Sequence, residues 1–277
     1  MPTTCSGSVG AKVGDKLYVI GGYKINNLIY CFDPSTNTLS TCDLKLPKQI
    51  YNAAVAQWGD DIYVLGGRSN NGGSSGVVPI SDITYVNINA KVSYTTNIKL
   101  PIPVYQCGYA QYGDRAYIIS GTQADKSYST AIQYFDRSTM TTGILLESSH
   151  KWGDAPVSYA TENHLYIAGY YNGVPYFERI NVKTLEVEDL TYKVPKGLCI
   201  AASAKIDDTL YTFGGVRLSG FYPHAVSKLV FSPVVPENCV LFHVDNKGTQ
   251  CAPYISNGTT AEVNIDKIYK GTTAGYA

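Results

Sequence analysis

One short stretch is written five times along this 277-residue chain, and it restricts the chain to repeat architectures. Its clearest copy is Gly59-Asp60-Asp61-Ile62-Tyr63-Val64-Leu65-Gly66-Gly67. The five copies close at Gly22, Gly67, Gly121, Tyr170 and Gly215, so successive spacings are 45, 54, 49 and 45 residues. Each copy opens on a polar pair, and Asp suits a tight connection because it tolerates left-handed backbone angles and hydrogen-bonds its own chain. Four or five apolar residues then run without a charge, the pattern of a strand buried on both faces. Tyr18, Tyr63, Tyr117, Tyr166 and Tyr211 hold the same place in all five copies. The closing glycines stop the strand where a side chain would crowd its neighbours.

The text around each copy repeats as well. Sixteen residues before the closing position stand Ser6, Tyr51, Tyr105, Asp154 and Cys199, each just ahead of a run of small residues such as Ala53-Ala54-Val55-Ala56. A polar loop follows each glycine pair, then a third strand: 28–33, 83–87, 131–136, 176–181 and 225–231. Asp33-Pro34-Ser35-Thr36-Asn37, Asp136-Arg137-Ser138-Thr139 and Asn181-Val182-Lys183-Thr184 then make turns into a more polar fourth strand. Four antiparallel strands per repeat, with a small inner strand and an apolar second strand, describe a blade of an all-β propeller. Tyr63-Val64-Leu65-Gly66-Gly67 and Tyr30-Cys31-Phe32-Asp33-Pro34-Ser35-Thr36 resemble the Kelch repeat, over about residues 5–235. The resemblance departs at Ser120-Gly121 and Gly169-Tyr170, where the glycine pair decays, and the Trp usual near the start of the fourth Kelch strand is missing. The expectation is a Kelch-like propeller over 1–236 with five blades, six being the alternative. Residues 238–244 supply the last outer strand, and 237–277 form a β-rich extension that closes a blade or anchors a partner.

Composition narrows the function. Lys plus Arg and Asp plus Glu each number 22, so the formal net charge is zero and there is no electrostatic footprint for nucleic acid. No apolar run approaches the ~20 residues of a membrane helix, and Met1-Pro-Thr-Thr-Cys-Ser does not read as a secretory signal. The seven cysteines are scattered. Cys31 is expected opposite Ser40 across a hairpin, with Cys42 only its diagonal neighbour, so reduced thiols and synthesis in a reducing cytosol are expected.

The four histidines (His150, His164, His224 and His243) make no metal pattern, and no phosphate loop, nucleophile elbow or dinucleotide fingerprint occurs, so no cofactor is expected. The loops after the second strands and those before the first strands emerge on one face of such a propeller. That places Tyr23, Tyr51, Arg68, Tyr105, Trp152, Asp154, Tyr171, Arg217, Tyr222 and His224 on a common rim. An aromatic rim with two arginines suits stacking on sugar rings or gripping a protein segment. Asp154 is the one acid at an equivalent axial position, whereas glycoside hydrolysis needs two.

Near the end, Val263-Asn264-Ile265-Asp266-Lys267-Ile268-Tyr269-Lys270-Gly271-Thr272-Thr273 resembles C-terminal segments of tailed-phage and prophage structural proteins. The resemblance implies a virion component made in the host cytoplasm, joined to other subunits through 237–277. The expected function is therefore a non-catalytic binding or structural module with a glycan or a cell-surface protein as ligand. An intracellular Kelch adaptor in the cytoplasm and a carbohydrate-active propeller enzyme are the alternatives.

Overall fold

A computed structural model of the chain describes residues 5–69, 78–148, 150–153, 155–172, 174–190, 202–206, 209–213, 226–231, 239–244, 254–257 and 260–263, as backbone alone from 202 onward. The secondary structure among the described residues is all strand. Each repeat forms one antiparallel sheet whose strands neighbour one another in chain order. The first holds β1 (Val9–Val13), β2 (Lys16–Ile20), β3 (Leu28–Asp33) and β4 (Thr38–Lys45). In the second, β5 (Ala54–Trp58) and β6 (Asp61–Leu65) are followed by a two-residue ribbon, β7 (Arg68–Ser69) with β8 (Val78–Pro79), before β9 (Asp82–Asn87) and β10 (Val92–Lys99) complete the sheet. The third holds β11 (Gly108–Tyr112), β12 (Arg115–Ile119), β13 (Ala131–Asp136) and β14 (Thr141–Glu147). The fourth holds β15 (Val157–Ala160), β16 (His164–Tyr171), β17 (Val174–Asn181) and β18 (Val187–Asp189). The fifth runs through β19 (Ala202–Ile206), β20 (Thr209–Phe213), β21 (Val226–Phe231) and β22 (Cys239–Val244), then adds β23 (Tyr254–Asn257) and β24 (Thr260–Val263) at its edge. Three strands from 237–277 thus belong to the fifth sheet.

The chain divides into two compact units, Met1–Asp154 with Ala160–Asn163, and Ala155–Tyr159 with His164–Ala277. In the first unit the core lies between successive sheets, and strand periodicity explains it. Alternate residues of a strand point to opposite faces. On β6, Ile62 and Val64 join Val9, Ala11, Tyr18, Ile20 and Ile29 of the preceding sheet in one cluster. Tyr63 and Leu65 point the other way and pack with Ala116, Ile118 and Phe135 of the following sheet. The stretch of β6 buried between two cores, Ile62–Leu65, carries no charge, and its one charged residue, Asp61, stands at the less buried end; this is why the repeated stretch reads as an apolar run behind a polar pair. The repeated tyrosine is buried wherever its side chain is described in this unit: Tyr18, Tyr63 and Tyr117 are all below 9 % exposed. Tyr63 packs against Trp58, Tyr85 and Phe135 with ring centroids 5.6, 5.3 and 5.0 Å away.

Main-chain bonds fix the spacing of the sheets. The Gly22 N–H donates to the Ile50 carbonyl of the next repeat at 2.9 Å, and the Gly67 N–H to Val104 at 2.8 Å. So close an approach leaves no room for a side chain: a Cβ on Gly21 would lie 2.3 Å from the Ile50 oxygen. Gly21 and Gly66 also take positive φ, 61° and 63°. Ser120 adopts the same conformation in the third repeat (φ 56°), with its hydroxyl donating to the Ser129 carbonyl at 2.9 Å. Two glutamines add a second tie. Gln111 bonds the main chain of Gln57 at both ends of its amide (2.9 Å each), and Gln57 does the same to Lys12 one sheet earlier.

The turns between third and fourth strands follow the chemistry of their sequences. Asp33 accepts from the Ser35 amide and hydroxyl, Asp136 from those of Ser138, and Asn181 from the amides of Lys183 and Thr184. Cys31 stands opposite Ser40 as expected, and Cys5, Cys31, Cys42 and Cys107 are free thiols.

Replacing Tyr63 with Ala removes a ring that three aromatic neighbours pack around. The expected loss is about 3–4 kcal/mol, in the range for large-to-small core changes. Urea unfolding followed by near-UV circular dichroism measures it; a loss below about 1 kcal/mol would mean the repeated tyrosine is not core.

Candidate functional site

The site begins with a bridge that each of the first three repeats makes. Backbone pairs join Ser6 to Tyr23, Tyr51 to Arg68, and Tyr105 to Thr122, and each pair is separated by 17 residues (23 − 6, 68 − 51, 122 − 105). In the second repeat the bridge is reciprocal: Arg68 N–H donates to the Tyr51 carbonyl at 2.9 Å and Tyr51 N–H to the Arg68 carbonyl at 3.1 Å. In the third, Thr122 and Tyr105 exchange bonds of 2.7 and 3.1 Å. The residue after the glycine pair is thereby fixed beside the residue that precedes the inner strand. The glycine staples bring the next repeat's equivalent residue alongside.

The result is a stacked run across three sheets. The Tyr23 and Tyr51 rings lie 5.6 Å apart at 46°. The Arg68 guanidinium carbon sits 4.7 Å from the Tyr51 ring centre and 4.7 Å from that of Tyr105. Tyr51 is buried, Tyr105 and Arg68 are half-buried, and Tyr23 is 44 % exposed. Burial pushes the Tyr51 phenol up, against the opposing pull of the Arg68 charge. The Arg68 Nε is buried without a hydrogen-bond acceptor, and among the described residues no carboxylate pairs with this guanidinium. Stacking rather than ion pairing therefore holds the side chain, and a planar, weakly hydrated cation is suited to that.

Other charged groups nearby are committed to structure. Asp82, at the start of β9, takes hydrogen bonds from Lys48 and Lys99. Burial pushes its carboxyl up, but the two lysines outweigh burial and hold it below the usual carboxylate range. At the opposite end of β6, Asp61 accepts from Tyr85 (2.6 Å), Asn87 (3.0 Å) and Arg137 (2.9 Å), which together hold it low.

Of the residues expected on the rim, Tyr23, Tyr51, Arg68 and Tyr105 come together. Trp152 does not: it is fully buried and belongs to the core, where its large apolar surface is removed from water. Tyr171 lies in the second compact unit at the end of β16, paired with Val174. The stretch 170–175 is expected as a loop, but Tyr170 pairs with Pro175 and Tyr171 with Val174 across the two strands, and Asn172 takes φ 47°. Gly169 is accordingly a ladder residue opposite Tyr176, which explains the lost glycine pair. Asp154, Arg217, Tyr222 and His224 lie outside the described residues. The glutamine ties were not anticipated, although Ala56-Gln57-Trp58-Gly59 and Ala110-Gln111-Tyr112-Gly113 carry their signature.

Comparison with known proteins supports the fold. The Kelch motif family model matches residues 4–38. A Kelch domain-containing protein of Saccharolobus solfataricus is 30% identical over 138 residues, covering 48% of this chain and 18% of the relative. The chain therefore spans under a fifth of that relative's length. The solved structure of YjhT superposes with a TM-score of 0.66 at 14% identity, covering 95% of this chain and 93% of that one. With the five sheets in chain order, these matches establish a Kelch-like β-propeller fold.

Because the Arg68 guanidinium carbon lies 4.7 Å from the ring centres of both Tyr51 and Tyr105, Arg68→Ala should destabilise the protein by about 1–2 kcal/mol, the sum of two cation–π contacts. Chemical unfolding of the variant tests this. An unchanged midpoint would show that the stack contributes nothing and that Arg68 is only loosely held.

Proposed function

We propose that the chain is a non-catalytic recognition module that takes a carbohydrate ligand on the run Tyr23–Tyr51–Arg68–Tyr105. The observation that carries the reading is the stack itself: a cation held between two tyrosines, with a further tyrosine ring open to solvent beside it. Aromatic rings pack on the C–H faces of sugars while phenol and guanidinium groups bond hydroxyls. The run carries no aliphatic side chain to receive the apolar anchor of a peptide, which favours sugar over protein as the ligand. It is also ill-suited to acid–base chemistry, since a guanidinium stays protonated at neutral pH and glycoside hydrolysis calls for paired carboxyls. Attachment to neighbouring virion subunits through 237–277 is a further part of the proposal. It is supported by the resemblance of 263–273 to phage structural proteins, of which 264–273 lie outside the described residues.

A glycan array probed with the labelled full chain, alongside a peptide array, tests the reading. The expected outcome is retention on a subset of glycans, lost in Tyr23→Ala, with no turnover of the bound sugars. Retention on peptides alone would replace it with the adaptor reading, and release of reducing ends would establish an enzyme.

A further inference from the structure

We infer that Cys31 and Cys42 are a latent disulfide, two thiols kept on a diagonal by a shift of strand register and joined when the chain meets hydrogen peroxide. The hairpin of β3 and β4 contains two registers. From Asp33 back to Tyr30 the partners run from Thr38 to Thr41, with Cys31 opposite Ser40. Beyond a bulge, where Ile29 alone faces Cys42, Asp43 and Leu44, Leu28 pairs with Lys45. Three residues on from Leu28 is Cys31, and three back from Lys45 is Cys42, so this second register, carried toward the turn, sets the two cysteines directly opposite. Opposed residues have Cα atoms ~4.5–5.5 Å apart, inside the range a disulfide spans, against ~7–8 Å on the diagonal. Only the pairs Tyr30–Thr41 and Cys31–Ser40 have to be exchanged. The shift is even, so every side chain keeps its face. In the second sheet the same shift lies between Thr95 and Lys99, with Tyr85 and Thr96 in the corresponding places. The bulge is thus shared by the two repeats, and the first one puts thiols in it.

The two thiols already share a setting. Both are free, Cys31 within the core cluster between the first and second sheets and Cys42 packed against that cluster. Their side chains interact directly, and Cys31 is also hydrogen-bonded to Tyr18. Cys31 is buried and Cys42 half-buried, so an oxidant meets Cys42 first. The Cys42 thiolate takes one oxygen from the peroxide, giving a sulfenic acid and hydroxide, and the Cys31 thiolate then displaces hydroxide from that sulfur. The two thiol protons turn both hydroxides into water, and two electrons pass from sulfur to the peroxide. Burial and the neighbouring Cys31 push the Cys42 thiol up, so its thiolate is scarce and closure is slow. That suits a cross-link made once, on passage from a reducing to an oxidising medium.

The test treats the full chain with hydrogen peroxide under native conditions, alkylates the remaining thiols after unfolding, and digests with trypsin for mass spectrometry. Both cysteines fall in one tryptic peptide, Ile25–Lys45. After oxidation that peptide should carry no alkyl group and be lighter by two hydrogen atoms than its dithiol form. Dithiothreitol should restore both alkylation sites, and Cys42→Ser should leave Cys31 alkylated under the same treatment. An oxidised Cys42 beside an alkylated Cys31 overturns the inference, as does a link from either residue to a different cysteine. So does a peptide left untouched by peroxide that fully oxidises glutathione in the same solution. A link that forms only in urea also overturns it, because the folded hairpin would then never reach the second register at Cys31.

Discussion

The face described above depends on one kind of main-chain bond, made after the first and second apolar strands, in which the amide of the second glycine donates into the next repeat. Gly22 reaches Ile50 and Gly67 reaches Val104 at 2.9 and 2.8 Å. A buried amide must find an acceptor. Here the acceptor belongs to a different sheet, so satisfying it sets the distance between sheets. That distance then selects the side chains between them: Tyr63 and Leu65 on one side, Ile62 and Val64 on the other. The same bond places the residue after the glycines next to the residue before the following inner strand. Arg68 ends between Tyr51 and Tyr105 for that reason, as a consequence of repeat geometry with one unusual residue in the slot.

The departures from the repeat support the same account. Where Ser120 replaces the first glycine, the positive φ is retained and a new hydroxyl bond to Ser129 accompanies it. Where Gly169-Tyr170 replaces the pair, the backbone no longer turns away; it continues to Tyr171 and closes in a hairpin with Val174. The residue pair thus decides whether a repeat sends out a loop or folds straight back, and only the former builds a slot like that of Arg68.

Much of this could be read from the sequence, because repetition inside one chain acts as its own control. The inner, second and third strands fell within a residue or two of their expected positions, since period-2 burial and turn residues such as Asp33, Asp136 and Asn181 are local signals. The rim was legible in part. Tyr23, Tyr51, Arg68 and Tyr105 share a face because equal spacing in sequence becomes equal placement in space. Trp152 was not legible, because whether an aromatic beside a repeat boundary is buried depends on what packs over it. The glutamine ties escaped for a similar reason: a glutamine in a strand looks like a solvated residue until a neighbouring main chain accepts its amide. The addition of β23 and β24 to the fifth sheet is a matter of edge pairing, which a short strand does not declare.

The propeller-like repeat therefore supplies position, and a single arginine in a tyrosine run supplies chemistry. The most direct measurement of that dependence is hydrogen exchange at the Gly22 and Gly67 amides, read by NMR on the uniformly labelled chain. If these bonds couple the repeats, both amides will exchange as slowly as those of Tyr63 and Val64 in the middle of β6, through global unfolding alone. Exchange at the rate of the exposed turn residues Gly59 and Asp60 would contradict the account, because the face would then be arranged by something other than the glycine bonds.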